Sequence, residues 1–167
     1  FEIPTFPTSV PGMRLHRALT AELEGRPDVS VVQGRRVIGF EAAGGRVRRV
    51  VVAGAGRDQV VEGRAVVLAT GGFLGGGLRA GREGVTERIF DLPVFDVPAS
   101  NGWAERAFFA AQGHPFIRAG LRVDEFLRPV DRTGRVIYEN IFTAGAVLGG
   151  YDWTRDKSGN GVALATG

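Results

Sequence analysis

The sequence contains no cysteine, and this absence excludes a disulfide framework, a cysteine-based zinc site and a cysteine-ligated iron–sulfur cluster. Any redox chemistry would therefore belong to a bound organic cofactor. Lysine is also nearly absent, since 20 of the 21 basic residues are arginine. The arginines alternate with acidic residues along most of the chain, so the net charge of +3 does not predict a nucleic-acid-binding stripe. No metal site is predicted either, because His16 and His114 have no local partners in a metal or nucleophile pattern.

Long hydrophobic runs are missing as well. The longest segments without charge, 65–78 and 140–151, are shorter than the roughly 20 residues that span a bilayer, so no membrane span is predicted. The start, FEIPTFPTSV, lacks the pattern of a signal peptide and does not begin with methionine. The last residues, SGNGVALATG, resemble a helix that has barely started. We therefore expect a piece of a longer protein, whose 167 residues can form one sizeable core.

The first part of the chain predicts a helix followed by strands. Residues 11–27 have apolar positions at helical spacing, at Leu15, Ala18, Leu19 and Leu23. A short strand is predicted at 29–32. An antiparallel meander should follow, with strands at 35–42, 46–53 and 59–62 and a turn at 43–45. The continuous apolar run 65–69 predicts a strand that is covered on both faces, as in a parallel sheet.

The second part is predicted to be richer in loops. No long regular element is expected from Gly71 to about Ser100. Residues 104–112 predict a short helix, capped by Ser100 or Asn101, that buries Phe108 and Phe109. Further strands are predicted at 116–124, 135–139 and 140–144, with a turn at 131–134, and the last helix should begin near Ser158.

Glycines follow two of the predicted strands, at Gly71-Gly72 and at Gly145, with Gly149 and Gly150 close behind. Glycine lets backbone approach a planar ring or a phosphate, and ligands of open α/β sheets bind beyond the carboxyl ends of the strands. The segment 158–161, SGNG, predicts an accessible helix N-terminus whose partial positive charge suits N1 and the C2 carbonyl of a flavin, where negative charge collects on reduction. The pattern therefore favours a flavin site, although glycines after strands also form plain turns.

Four segments, PTFPTSVPGMRLHRAL, VVLATGGFLGGGL, VDEFLRP and ENIFTAGAVLGGYD, carry a resemblance to a known family. Together they resemble the B subunit of the anaerobic, membrane-associated glycerol-3-phosphate dehydrogenase, in its C-terminal part. The resemblance implies oxidation of glycerol 3-phosphate to dihydroxyacetone phosphate and electron delivery to the respiratory quinone chain. It also implies flavin mononucleotide (FMN), a sister flavoprotein subunit, a membrane-anchoring iron–sulfur subunit, and a cytoplasmic location at the inner face of the membrane.

Two features depart from related flavoproteins. The GxGxxG strand–turn–helix that holds a cofactor phosphate is absent, and GGFLGGG at 71–77 cannot replace it because no amphipathic helix follows. The 167 residues alone are thus expected to be inactive and to hold flavin weakly. Flavoproteins of the fumarate-reductase type carry an acid after the strand glycine, where this chain has Ala146. Ala146 fits better with the FMN that the resemblance implies than with FAD, which remains the alternative.

The sequence thus predicts an α/β class protein with a partial dinucleotide-binding (Rossmann-like) flavoprotein fold, an antiparallel β-meander and a loop-rich lobe. Its expected parts are residues 1–72, a substrate-side lobe at 73–130, and a flavin-binding strand–loop–helix at 131–167. The candidate cofactor residues are Gly71, Gly72, Gly145, Ala146, Gly149, Gly150, Ser158, Gly159, Asn160 and Gly161. Arg128 is a candidate substrate residue, with a structural arginine as the alternative. No catalytic base is predicted. Another fumarate-reductase-like flavin enzyme and a non-catalytic docking or electron-relay subunit remain alternative functions.

Overall fold

The computed structural model describes residues 10–99 and 101–167, which divide into two compact units at residue 35. The first unit contains one helix, α1 (Val10–Glu24), which confirms the helix that the apolar spacing predicts. Its leucine face at positions 15, 19 and 23 is exposed, because no second helix or strand of this unit is described that could cover it. The strand predicted at 29–32 is wrong, since these residues have no regular secondary structure, are exposed and pair with no described strand.

The second unit begins with the predicted meander. Strands β1 (Val37–Ala43), β2 (Arg46–Val52) and β3 (Gln59–Glu62) form an antiparallel sheet in the order β1-β2-β3. The β1–β2 turn contains Gly44 and Gly45 with φ of 58° and 71°. Two successive residues with positive φ make the type of turn whose twist matches that of antiparallel strands, so the glycine pair fixes this hairpin.

Two short strands pair in parallel, as the apolar run 65–69 predicts. β4 (Val66–Leu68) lies beside β7 (Ile141–Thr143), with Val66 opposite Ile141 and Leu68 opposite Thr143. Burial on both faces is not observed, because Val67 is 64% exposed while Leu68 and Ile141 belong to the core. Among the described residues β4 has β7 as its sheet partner and no element covering the outer face at Val67. The complete dinucleotide-binding sheet stays a prediction.

Asn140 joins the meander to the parallel pair. Its side chain is 3% exposed, accepts a hydrogen bond from the Val47 N–H at 2.9 Å, and donates to the carbonyls of Val47 and Arg64 at 2.8 and 3.1 Å. Its own carbonyl accepts from the Val66 N–H at 2.9 Å. One amide therefore satisfies backbone groups of β2 and of the segment that enters β4, and it fixes the start of β7.

The region after β4 has short elements, as predicted for a loop-rich lobe. β5 (Leu78–Gly81) and β6 (Gly84–Glu87) form a hairpin, and 3₁₀ turns lie at Pro115–Arg118 and Gly145–Val147. The strand predicted at 116–124 is wrong: a 3₁₀ turn is followed by isolated bridges that pair Gly120, Leu121 and Val123 with three different segments. The strand predicted at 135–139 is also wrong, because these residues form a single bridge, between Val136 and Val130. The turn predicted at 131–134 is confirmed.

The helix predicted at 104–112 is also wrong, because these residues form bends and turns. His114 provides the physical reason: its Nδ1 accepts from the Glu105 N–H at 3.1 Å, and its Nε2 lies 2.9 Å from the Phe108 carbonyl. In a helix that carbonyl would accept from the N–H of residue 112 instead. Phe108 and Phe109, predicted to be core residues, are 81% and 92% exposed. Ser100, one of the two proposed caps, lies outside the described residues.

The buried core of this unit surrounds the parallel pair. Leu68, Ile141 and Val147 pack with apolar residues of β2, of β5 and of the segment 90–94, and with Leu121. Helix α2 (Gly159–Thr166) follows Ser158 as its N-cap, which confirms the predicted start. Its second half packs against the 3₁₀ turn after β7, where the Gly145 N–H donates to the Thr166 hydroxyl at 2.9 Å.

Candidate functional site

A cavity of about 620 Å³ opens where the carboxyl ends of β4 and β7 meet. Three of the predicted cofactor residues, Gly71, Gly72 and Ala146, line it with backbone or a single methyl group. The rest of the lining is mostly apolar and includes Phe73, Leu74, Phe108, Phe109, Phe116, Ile117 and Trp153. A cavity of this size with apolar walls and a few polar groups is typical of cofactor sites.

The glycines of 71–77 let the chain fold tightly on itself beside the cavity. A Cβ on Gly71, whose φ is +74°, would lie 3.1 Å from the Gly75 Cα, and one on Gly77 would collide with the Gly71 carbonyl and the Thr70 hydroxyl. A Cβ on Gly72 would lie 3.0 Å from the Ala146 carbonyl. The segments that follow β4 and β7 therefore approach each other closely at Gly72 and Ala146. Intrachain packing therefore accounts for these glycines, and it also leaves backbone as the cavity floor.

The glycines after β7 lie outside this cavity lining. Gly145 has φ of +72°, and a Cβ there would meet the Ala163 methyl at an ordinary 3.9 Å. Gly149 touches the backbone of Gly120, where a Cβ would lie 2.8 Å from the Gly120 nitrogen and 2.9 Å from the Arg118 carbonyl. Gly150 has φ of +86° and open space around its Cα. Backbone conformation or chain packing accounts for all three, and their contact with a cofactor stays a prediction.

Aromatic side chains form two parts of the cavity wall. On the inner side, the Phe73 ring packs edge-to-face against Trp103 at 5.7 Å and against Phe116 at 6.2 Å between centroids, which holds it in place. At the rim, Phe108 and Phe109 contact each other at 4.9 Å. Leu74 is 93% exposed beside them. The inner rings are thus fixed by packing, whereas the rim presents apolar surface to solvent.

Polar groups line one side of the cavity, near Gly113. Asp152 lies behind this side with 1% exposure, and its Oδ1 accepts from the N–H groups of Thr154 and Arg155 and from the Thr154 hydroxyl. Burial opposes its ionisation, but those hydrogen bonds and the charge of Arg118 outweigh it and lower the pKa of Asp152. The loop 152–155 is thereby held so that Arg155 lines the cavity, with its guanidinium 3.5 Å from the Gln112 carbonyl.

His114 also lines the cavity, but both of its nitrogens bind backbone. Because Nδ1 accepts from an N–H, the ring proton lies on Nε2, which donates to the Phe108 carbonyl. The ring stacks on Phe116 with an interplanar angle of 28°. This geometry assigns His114 to shaping the segment 105–114 rather than to proton transfer.

The predicted helix end lies beside the cavity, separated from it by one side chain. A Cβ on Gly159 would lie 4.0 Å from the Cβ of Trp153, which lines the cavity, whereas residues 158–161 do not. The Ser158 side chain makes no capping hydrogen bond, and its hydroxyl is buried without a partner among the described residues. The assignment of Ser158, Gly159, Asn160 and Gly161 to a cofactor stays a prediction.

Arg128 is held by an acidic neighbour. Its Nε and one terminal nitrogen donate to the Asp124 carboxylate at 2.9 and 2.7 Å, and its guanidinium lies over the Phe126 ring. Burial opposes ionisation of Asp124, yet these bonds and the N–H groups of Arg128 and Phe126 lower the pKa of Asp124. Arg128 does not line the cavity, so this geometry supports its structural alternative, and its contact with a substrate stays a prediction.

Sequence reasoning missed several residues that line this cavity. Phe73, Phe116, Trp153 and Arg155 come from three separate segments, a 3₁₀ turn at Phe116 and irregular turns at the others, and no spacing in the sequence relates them. A usable signal was the position of Phe73 and Trp153, each within a few residues of a glycine-rich strand end. Over the residues that the structure describes, no cluster of potential metal ligands occurs. Likewise, no helix in the described ranges is long and apolar enough to cross a membrane.

The site agrees with a family comparison. The model of a family described as FAD binding domain matches residues 1–162. The chain belongs to this FAD-binding domain family. The match confirms the flavoprotein character that the glycine pattern indicates. FMN and FAD are not distinguished by the match.

Curated relatives of this FAD-binding domain confirm the resemblance that the motifs indicate. The probable B subunit of an anaerobic glycerol-3-phosphate dehydrogenase from Halobacterium salinarum is 37% identical over 167 residues, which is 100% of this chain and 38% of the relative. The B subunit of the anaerobic glycerol-3-phosphate dehydrogenase from Vibrio cholerae is 36% identical over 165 residues, 99% of this chain and 37% of that protein. Its counterpart in Yersinia pseudotuberculosis is 35% identical over 164 residues, 98% and 37% respectively. The chain therefore spans a little over a third of these relatives' length, and no solved structure is significantly similar to it.

The residues present fit a flavin. Its ring system is planar, apolar on its faces and polar along one edge, and the cavity offers aromatic walls, a floor of backbone at Gly71 and Gly72, and polar groups on one side. The aromatic walls suit the faces of the ring, and Arg155 can interact with an electron-rich edge. What these residues alone do not form is a helix-terminal phosphate site next to Gly71 and Gly72, because a β-hairpin follows there.

Proposed function

We propose that the cavity at the ends of β4 and β7 is part of the flavin site of a flavin-dependent anaerobic glycerol-3-phosphate dehydrogenase. The whole protein would oxidise glycerol 3-phosphate to dihydroxyacetone phosphate and pass electrons to the respiratory quinone chain. The observation that carries the proposal is the meeting of Gly71, Gly72 and Ala146 at one cavity of about 620 Å³. The names of the curated relatives supply the substrate.

When bound, the flavin supplies hydride or electron transfer at its N5 atom. The chain's own residues would bind and orient the ring: Phe73 and Phe116 would pack against it, and the backbone at Gly72 and Ala146 would allow its close approach without a bulky side chain in between. Trp153 lines the same space and would shield one side of the ring from water. Apolar walls matter here because electrostatic interactions strengthen when water is displaced.

Arg155 contributes the positive charge on the polar side of the site. It is the arginine of the cavity lining, and the buried carboxylate of Asp152 fixes the loop that carries it. A cation at this position stabilises negative charge on an electron-rich ring edge. In the sequence prediction this role belongs to the helix end at 158–161, and the geometry supports Arg155 as a second contributor.

The finer parts of the proposal concern the cofactor and the assembly. FMN is proposed, as the resemblance of the motifs implies, with FAD as the alternative. A sister flavoprotein subunit and a membrane-anchoring iron–sulfur subunit are proposed as partners, which would place the protein in the cytoplasm at the inner face of the membrane. The names of the relatives, each of which is that of one subunit of a dehydrogenase, support a multi-subunit assembly.

The test is to replace Ala146 by leucine in the full-length protein. Ala146 is exposed and lines the cavity, so a larger side chain would enter the space proposed for the ring while the strands stay packed. We expect the purified Ala146→Leu protein to lose most of its flavin absorbance and to keep its circular dichroism spectrum. Ala104→Leu is the matched control, since Ala104 is exposed and lies outside the cavity lining. Equal flavin content in both variants would contradict the proposal.

A docking or electron-relay subunit without its own catalysis is the second candidate. The exposure of Leu74, Phe108 and Phe109 at the rim, each above 80%, favours a surface that a partner covers. A folded full-length protein without flavin would support docking, and stoichiometric flavin without turnover of glycerol 3-phosphate would support electron relay.

A further inference from the structure

A second cavity, also of about 620 Å³, lies on the other side of the segment that carries Gly113 and His114. These two residues line both cavities, so the two spaces are neighbours with one shared wall. The second cavity differs in character, because charged side chains line it: Asp96, Arg118 and Arg122. Its lining also includes Gly150, in the segment that follows β7.

One positive charge of this cavity has no ion-pair partner within the described ranges. Arg122 donates to both oxygens of Asp96, at 3.0 and 3.3 Å, so these two charges balance each other. Arg118 forms neither a side-chain hydrogen bond nor an ion pair within 4 Å in the described ranges. The nearby Asp152 attracts Arg118 at longer range, but its Oδ1 is occupied by the loop 154–155 and its Oδ2 has no hydrogen-bond partner there. With Arg155 on the far side of the same wall, two arginines flank one buried carboxylate.

The backbone that carries Arg118 is firmly anchored. Its carbonyl accepts from the Gly150 N–H at 2.8 Å, and Leu121 exchanges hydrogen bonds of 2.9 Å with Val147 and Gly149. The close contact of Gly120 with Gly149 fixes the same segment from the other side. Arg118 therefore projects from a fixed backbone, so binding a ligand orders its side chain without also having to order the main chain.

We propose that the second cavity binds a phosphomonoester through Arg118, and that the rest of that small molecule reaches the first cavity past Gly113 and His114. A guanidinium without a carboxylate partner matches the geometry of a phosphate and can donate two parallel hydrogen bonds to it. The phosphate comes from one of two sources, the ribityl phosphate of FMN or the phosphate of a polyol phosphate substrate. The choice between these sources rests on the proposed function, whereas the anion site itself does not.

The test compares Arg118→Gln, Arg118→Lys and the control Arg82→Gln in the full-length protein with its natural partner subunits. Arg82 is an exposed arginine of the β5–β6 turn, outside both cavity linings. Isothermal titration with inorganic phosphate measures the site directly. We expect Arg118→Gln to weaken phosphate binding about ten- to a hundredfold, Arg118→Lys to restore part of it, and Arg82→Gln to change nothing.

Two further measurements separate the sources. If FMN supplies the phosphate, Arg118→Gln weakens FMN binding to the apoprotein about tenfold or more, leaves riboflavin binding unchanged, and leaves KM for glycerol 3-phosphate unchanged in the reconstituted protein. If the substrate supplies it, FMN binding is unchanged and KM for glycerol 3-phosphate rises by a similar factor with kcat retained. Equal phosphate, FMN and substrate affinities in Arg118→Gln and Arg82→Gln would overturn the proposal. Weakened phosphate binding in a protein that holds no flavin would keep the anion site and refute the proposed function alone.

Discussion

The sharpest structural prediction concerns Asn140, which joins β2, β4 and β7. Replacing it by alanine removes three side-chain hydrogen bonds, at 2.9, 2.8 and 3.1 Å, and leaves the buried Val47 N–H without an acceptor. A net hydrogen bond contributes about 1 kcal/mol, and a buried unsatisfied donor costs about 1–3 kcal/mol. Because the Arg64 carbonyl belongs to an exposed residue that water can reach, we expect Asn140→Ala to lower the free energy of unfolding by about 2–4 kcal/mol.

Asn140→Asp tests the direction of the amide. One carboxylate oxygen can still accept from the Val47 N–H, but the other would face the carbonyls of Val47 and Arg64, where the amide now donates. Placing a charge at a position that is 3% exposed adds a desolvation cost. The aspartate variant should therefore be at least as unstable as the alanine variant at neutral pH, although it is closer to asparagine in shape.

Urea denaturation of the full-length protein, monitored by circular dichroism, measures both effects. With a slope of about 2 kcal/mol per molar urea, a loss of 2–4 kcal/mol moves the midpoint down by about 1–2 M. Asn101→Ala is the control: Asn101 is exposed, and its change should stay within about 0.5 kcal/mol. Flavin content should fall with Asn140→Ala, since β7 leads directly to Ala146. A midpoint equal to that of Asn101→Ala would refute the role assigned to this amide.

Two more outcomes follow from the polar side of the cavity. Arg155→Gln should lower the midpoint potential of the bound flavin by tens of millivolts, because about 1.4 kcal/mol of lost stabilisation equals 59 mV for one electron. The control Lys157→Gln removes the same charge from the same loop, but outside the cavity lining. An equal shift in both variants would contradict the role of Arg155. Gly113→Ala should destabilise the protein more than Gly134→Ala in urea denaturation and reduce flavin content. Both glycines have positive φ, at 74° and 84°, so both variants bear about 1–2 kcal/mol of backbone strain, but the new methyl at 113 also collides with the Asp152 carboxylate whereas the space at 134 is open. Equal destabilisation would show that the collision is relieved without cost.

The meander and the parallel pair were predictable because their signals are local. Gly44 and Gly45 fix a hairpin turn whatever surrounds them, and the apolar run 65–69 indicates a strand that packs on the core, as Leu68 does. The start of α2 after Ser158 is local in the same sense, since two glycines precede a continuous apolar segment.

The aromatic part of the cavity was not predictable in this way. The helical pattern of 104–112 places Phe108 and Phe109 on a buried face, yet His114 takes up backbone groups of Glu105 and Phe108 and holds the segment in turns. A side chain nine residues away thus overrides local helix propensity, and no periodicity reveals such a contact. The same holds for Phe116, which reaches the cavity because the segment 118–121 is bonded to the backbone that follows β7.

The glycines show how chain packing and ligand binding depend on each other here. Gly72 is needed because a Cβ would press on the Ala146 carbonyl, and Gly149 because one would press on the backbone of Gly120 and Arg118. Neither constraint involves a ligand. Yet the contact of Gly72 with Ala146 brings two strand ends together as the floor of the first cavity. The contact of Gly149 with Gly120 anchors the backbone of Arg118, which lines the second cavity. A turn and a binding site are therefore not competing explanations for these glycines, because the tight packing itself produces the surface that a ligand can occupy.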